Sequence, residues 1–188
     1  MKKLLIVIGA IVGLLLIFGL ALAGVYNSLV TKNQAVDAQW AQVETQYQRR
    51  FDLIPNLVNS VKGIMAQEQA VFLGIADART RYAGATTPQE QAAAANDVES
   101  ALARLLVIME NYPQLRSIEA VTTLMDELAG TENRIAVERG RYNTEVRDFN
   151  TTIKRFPTVM VAGIFGFDQR TYFESFSGAD VAPKVDFG

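Results

Sequence analysis

The sequence predicts an all-α protein: a single N-terminal transmembrane helix, an antiparallel four-helix bundle after it, and an irregular apolar C-terminal tail. Three observations carry this. Leu4 to Val25 is an uninterrupted run of uncharged, almost wholly apolar residues, preceded by Lys2 and Lys3. Beyond it apolar residues return in steps of three and four, and no stretch of the middle alternates as a strand does. Prolines at 55, 88, 113, 157 and 183 punctuate that pattern. The expected division is a membrane anchor over 1–26, a helical bundle over 27–156 and an apolar, partly extended tail over 157–188.

The anchor comes first. At about 1.5 Å of rise per residue, Leu4 to Val25 is roughly 33 Å long, enough for a hydrocarbon core of about 30 Å. A cleaved signal peptide is the rival, since Ala21-Leu22-Ala23 has the look of a cleavage site. Signal cores, however, run only about 7–15 residues. Tyr26 falls where an amphipathic ring sits well, at the water interface. Gly9 and Gly13 form a G-x-x-x-G pair that lets two such helices approach closely. They are candidate assembly contacts, and two glycines in a lone span are the equally weighted bland reading. Lys2 and Lys3 outnumber Lys32, which has Asp37 close by. The positive-inside bias then puts the N-terminus in the cytoplasm of a bacterial inner membrane and the bundle outside it.

Composition narrows the chemistry. Of 18 basic side chains, two precede the span, whereas all 20 acidic ones follow it. A mildly acidic, mixed surface argues against a nucleic-acid partner. The sequence has no His and no Cys. That excludes His-based triads, cysteine nucleophiles and most zinc, copper, haem and iron–sulfur ligation. Neither a Walker-type nor a dinucleotide-binding glycine pattern occurs. The adjacent carboxylates Asp126 and Glu127 diverge by about 100° on a helix and do not converge on a substrate. No enzyme activity and no cofactor are expected.

The helical segments follow in order. The first continues past the span through Leu29, Val36, Trp40, Val43 and Tyr47. A second runs from about Pro55 to Tyr82, with Leu57, Val58, Val61, Ile64, Met65, Phe72 and Ile75 on its apolar face. Whether Pro55 marks a kink in one long helix or a reversal between two is open. Matched segment lengths favour a reversal near Phe51 to Ile54, which keeps Trp40 and Tyr47 out of water. Against it, that stretch contains no glycine. Thr87-Pro88-Gln89-Glu90 is a strong start signal: Thr87 caps, Pro88 fits the first turn and Glu90 closes a capping box. The third segment ends near Tyr112-Pro113. Ser117 is the expected cap of the fourth.

The fourth segment has the sharpest rhythm: Val121, Met125, Leu128, Glu132, Ile135, Arg139, Tyr142, Val146, Phe149, Ile153 and Phe156. Alternating steps of four and three make a bundle seam. Glu132 and Arg139 interrupt it with charge, either at its edge or in a polar layer where each needs a partner from another helix. A reversal near Pro55 brings Glu68 to the height of Arg139 as one such partner. Asn143 and Asn150 lie seven apart, on one face, as a register-fixing ladder or as a recruiting stripe. Arg49-Arg50 grips carbonyls at a turn or faces an anion. In the tail, Val159 to Phe167 is too short to span a bilayer. It packs on the bundle, lies in the membrane interface, or meets a neighbouring subunit. Phe165, Phe167 and Phe187 are its candidate assembly contacts.

These residues together resemble the LemA proteins. The resemblance rests on Tyr26-Asn27 after a single N-terminal span and on Arg49-Arg50-x-Asp52-Leu53-Ile54-Pro55-Asn56-Leu57-Val58 with Val61-Lys62-Gly63. Next come Glu110-x-Tyr112-Pro113-x-Leu115, Glu127-Leu128-x-x-Thr131-Glu132-Asn133-Arg134-Ile135-Ala136, Arg141-Tyr142-Asn143 and Phe149-Asn150. Phe156-Pro157, Gly166-Phe167 and Tyr172-Phe173 complete it. The match runs through essentially the whole chain. It implies a bacterial membrane protein with a helical-bundle domain, no established enzymatic activity, and no catalytic residue to carry over. The expected function is thus a self-assembling, non-catalytic scaffold anchored in the inner membrane. Its partners are the lipid bilayer and further copies. The alternative is an envelope adaptor that presents substrates to a membrane protease or transport complex, with a membrane protein as partner.

Overall fold

A computed structural model describes residues 2–173, the side chain of Arg116 excepted, and all regular structure among them is helical. Helix α1 is Lys2–Lys62, α2 Gln69–Gly84, α3 Pro88–Met109, α4 Glu119–Lys154 and α5 Thr158–Phe165. A short 3-10 turn, Pro113–Ser117, links α3 to α4.

The largest departure from expectation lies in α1. The chain does not reverse at Phe51 to Ile54. It stays helical for 61 residues with Pro55 inside. Proline removes one backbone bond and crowds the carbonyl four residues back, at a cost of about 3 kcal/mol. Against this, Phe51, Ile54, Leu57 and Val61 are all buried, and each such burial is worth roughly 1.5–3 kcal/mol. The seam outweighs the break. The reversal comes later, at residues 63–68, where Met65 N–H bonds to the Val61 carbonyl at 2.9 Å and the Met65 side chain is fully buried. Trp40 and Tyr47 are nevertheless out of water, at 8% and 1% exposure.

Shorter segments differ too. Thr87 and Glu90 form a complete capping box at the start of α3. Ser117 does not cap α4; its hydroxyl donates to the Gln114 carbonyl at 2.7 Å. On α4 the seam is buried from Val121 to Ile153 except at Met125, Glu132 and Arg139, which are half-exposed, but Phe156 is 80% exposed because the helix has already ended at Lys154. Part of the tail expected to be irregular is α5, closed by Gly166 in the left-handed conformation at φ 71°. There Phe167 N–H bonds back to the Ala162 carbonyl at 3.0 Å, a terminating turn for which glycine is favoured.

The described residues fall into two compact units. One draws on the chain up to Gln39 and on Arg141–Tyr172. Its α1 portion holds the only described stretch long and apolar enough to cross a membrane, and none of that stretch is buried. Leu29 and Val36 on α1, and Tyr142, Val146, Phe149 and Ile153 on α4, form its core together with Val161 and Ala162 of α5. Tyr26 meets Phe165 and Phe167 at ring separations of 4.8 and 5.9 Å, and Phe167 also meets Phe149.

The other unit draws on Trp40–Gly140 and Phe173. Trp40 of α1 donates from Nε1 to Gln91 of α3 at 3.1 Å. Tyr47 and Phe51 of α1 pack on Tyr82 of α2. Arg81 of α2 pairs with Asp97 of α3 at 3.3 Å. Within this unit, residues ascending α1 meet residues ascending α3 and descending α4.

Candidate functional site

The most concentrated chemistry is a polar cluster inside the second unit. Arg50 sits on the α1 seam, three residues after Tyr47 and four before Ile54, so helical geometry turns it inward. Its side chain is 9% exposed. Nη2 lies 2.7 Å from the Glu132 carboxylate of α4, and Nη1 3.8 Å from Glu99 of α3. Glu99 follows Ala95 by four residues and precedes Leu102 by three, which places it on the flank of the buried α3 stripe. Arg139 of α4 completes the group. Its guanidinium donates to Tyr47 Oη at 2.6 and 3.0 Å and lies 3.5 Å from Glu99. It also stacks over the Phe173 ring at 4.3 Å.

Electrostatics separates the two carboxyls. Burial, then the hydrogen bond and charge of Glu132, push Glu99 above its ordinary range, and the two arginines oppose that. The bond from Glu99, followed by the charge of Arg50, holds Glu132 below its ordinary range against partial burial. Burial raises the Tyr47 phenol, and Arg139 works against it. The two carboxyls are thus shifted in opposite directions between two arginines, Glu99 upward and Glu132 downward. A cavity of about 260 Å³ lies alongside, walled by Leu102, Leu106, Met125 and Leu128 and reached by Arg50 and Glu132. Glu99 does not line it.

The residues singled out in the sequence scatter over both units. Glu132 and Arg139 enter the cluster. Glu68 does not: Arg139 takes Glu99 and Tyr47 instead, and Glu68 accepts from Tyr112 Oη at 3.2 Å. The late reversal of the chain removes the expected Glu68–Arg139 pairing. Asn150 is buried in the first unit, and its amide bonds the Arg170 backbone in both directions at 2.8 Å. It clamps the segment after α5 rather than another helix. Tyr142 Oη donates to the Thr171 carbonyl next to it at 3.1 Å, and Arg170 pairs with Asp37. Asn143 is half-buried on α4.

Gly9 and Gly13 have open space where a Cβ would stand. Leu4 is exposed and Val25 half-exposed at the two ends of the apolar run. Phe165 is 59% exposed and Phe167 half-buried. Phe187 lies outside the described residues. Sequence reasoning missed Glu99 and Tyr47 as cluster members and took Arg50 for a turn or ligand residue. Their spacing puts each on or beside an apolar face, but it does not say which helix that face meets. Among the described residues no group of three or more acidic side chains is placed to hold a metal ion.

Comparison with known proteins completes the description. Two proteins of Paramagnetospirillum magneticum, named magnetosome protein MamQ 1 and MamQ 2, are each 28% identical over 181 residues. The aligned parts are 82% of this chain and 66% of each relative, so the chain spans less than two thirds of their length. Magnetosome protein MamQ of Magnetospirillum gryphiswaldense is 28% identical over 189 residues, 85% of this chain and 70% of that protein. The LemA family model matches residues 39–187, which includes α2, α3, α4 and α5 in full and every member of the polar cluster. The chain belongs to the LemA family.

Proposed function

We propose that this protein is a non-catalytic scaffold, anchored in a bacterial inner membrane by α1 and assembling through that anchor into multiple copies. The observation that carries the reading is α1 itself: Leu4 to Leu20 stand 48–74% exposed at their large apolar positions, at a length that matches a bilayer. In water such a surface is a liability, and in lipid it is matched. In this reading the span occupies residues 1–26, the N-terminus is cytoplasmic, and the helical body, a four-helix bundle over 27–156, stands outside. Gly9 and Gly13 share one face of the span with nothing near them, which suits close approach of a second span.

The non-catalytic part is supported by the polar cluster. Each carboxyl there carries an arginine, as in a structural ion-pair network. The relatives' name, magnetosome protein, names no reaction. An adaptor role is the second reading, favoured by the exposed polar groove of Arg49, Thr123, Asp126, Glu127 and Arg134 along α1 and α4.

The test is alkaline extraction of membranes followed by mass measurement of the full chain in lipid nanodiscs. Retention in the membrane pellet and a multimer that falls to a monomer in Gly9→Leu/Gly13→Leu are expected. Release into the soluble fraction overturns the anchor. A wild-type monomer overturns assembly, and co-purification of a different membrane protein with that monomer selects the adaptor.

A further inference from the structure

Among the described residues of its unit, nothing covers the exposed face of α5. Val159, Met160 and Ile164 are 45%, 59% and 76% exposed, and Gly163 lies among them. At helical spacing these positions form one face, while Val161 and Ala162 turn inward and are buried. Phe156, at 80% exposure, extends the apolar surface ahead of the helix. From Phe156 to Phe167 there is no charged residue.

Two independent features say what covers this face. The first is continuity. Phe165, at the end of α5, rests its ring 4.8 Å from Tyr26, and Phe167 rests 5.9 Å from the same ring. Tyr26 directly follows the apolar run of α1, so α5 sits beside the point where the span leaves the hydrocarbon. The second is charge. Between Asp148 and Asp168 the only ionisable side chains are Lys154 and Arg155, both exposed and both immediately ahead of α5. Basic side chains at that depth reach phosphate headgroups while their stems lie along apolar surface.

We propose that α5 is a second membrane-contacting element. It lies in the boundary between headgroups and acyl chains of the bilayer that α1 crosses, with Val159, Met160 and Ile164 among the lipid chains and Lys154 and Arg155 at the phosphates. This rests on the reading of α1 as a span. At eight residues α5 is too short to cross the hydrocarbon core, which leaves the interface as its place in the bilayer. The contact with Tyr26 fixes the depth of α5, and through Asn150 and Arg170 the segment behind it is tied to α4.

The sequence has no cysteine, so one introduced cysteine takes a spin label cleanly. The full chain is reconstituted in vesicles of phosphatidylethanolamine and phosphatidylglycerol as Ile164→Cys, Leu14→Cys or Ala38→Cys. Collision with oxygen, which concentrates in lipid, and with a water-soluble nickel chelate then gives depth. Leu14→Cys should read as deep lipid and Ala38→Cys as water. Ile164→Cys should fall between, with nickel collision several-fold below Ala38→Cys and oxygen collision raised. Nickel access at Ile164→Cys equal to that at Ala38→Cys overturns the proposal and leaves the span intact. Shielding of Ile164→Cys from both reagents, with dipolar broadening between labels, overturns it in favour of a second copy. Nickel access at Leu14→Cys overturns the span itself. Phe156→Glu combined with Met160→Glu supplies the converse: nickel collision at Ile164→Cys should rise to the Ala38→Cys level, and no rise counts against lipid contact.

Discussion

Arg50 touches both carboxyls of the polar cluster and is the least exposed of its charged side chains. Replacing it by leucine leaves Glu132 without its nearest cation in a half-buried site, and leaves Glu99 with Arg139 alone. Breaking a buried pair costs 3–5 kcal/mol, and the 45% exposure of Glu132 discounts that. Arg50→Leu should therefore lose about 2–3 kcal/mol in chemical denaturation, and Arg50→Leu with Glu132→Leu should recover part of it. Additive losses would mean that the two residues do not interact. Glu99 gives a pH signature. Its folded-state pKa is raised, mainly by burial. Its stabilising contribution is complete below the ordinary carboxyl range and is lost as pH rises through the raised value. Glu132, whose pKa is lowered, contributes in the opposite sense and loses its share as pH falls. Glu99→Gln keeps the shape and removes the first effect, so its unfolding midpoint should decline less than the parent's from mildly acid to neutral pH. An unchanged decline would place the titration elsewhere. These residues were half-legible in the sequence. Glu132 and Arg139 declared themselves by interrupting a seam of eleven positions. Tyr47 read only as an apolar seam position, and Glu99 did not stand out, because which polar flank of an amphipathic helix faces a partner depends on helix order, which periodicity leaves undetermined.

At the scale of elements, Pro55 is the instructive case. Local rules weighed against helix there, since Ile54 is the residue a following proline pushes out of the α region. Yet the steps from Tyr47 through Phe51, Ile54 and Leu57 to Val61 never change phase, and a reversal would have broken them. Non-local burial overrode the local preference. Pro55→Ala restores the missing bond to the Phe51 carbonyl without altering the seam. It should stabilise the protein by roughly 1–3 kcal/mol, less what proline contributes by stiffening the unfolded chain. A loss of stability would mean that the helix depends on the proline. The capping box at Thr87 and Glu90 was legible because its chemistry is entirely local. The end of α4 was not, because Phe156 kept the rhythm of the seam one turn beyond the helix.

For the whole molecule, the family and the all-helical class could be read from the sequence, and the ordered run of motifs now has the matching family model behind it. The apolar N-terminal stretch was equally plain, since its signal is length and composition alone. What a membrane would see beyond that stretch was not plain. Val159 to Phe167 reads as intramolecular packing first, with membrane interface and subunit contact as alternatives, until the neighbours of Tyr26 and Phe165 are known.

The absence of any hinge in α1 between Val25 and Leu29 has a mechanical consequence. A helix without a joint transmits torque, so the apolar segment and the buried positions Leu29 and Val36 turn as one shaft. One residue added between them would swing the two faces apart by about 100°, whereas seven would bring them back almost into phase. In the proposed anchor, a tilt of the span imposed by the bilayer would be passed by the same shaft to Leu29 and Val36.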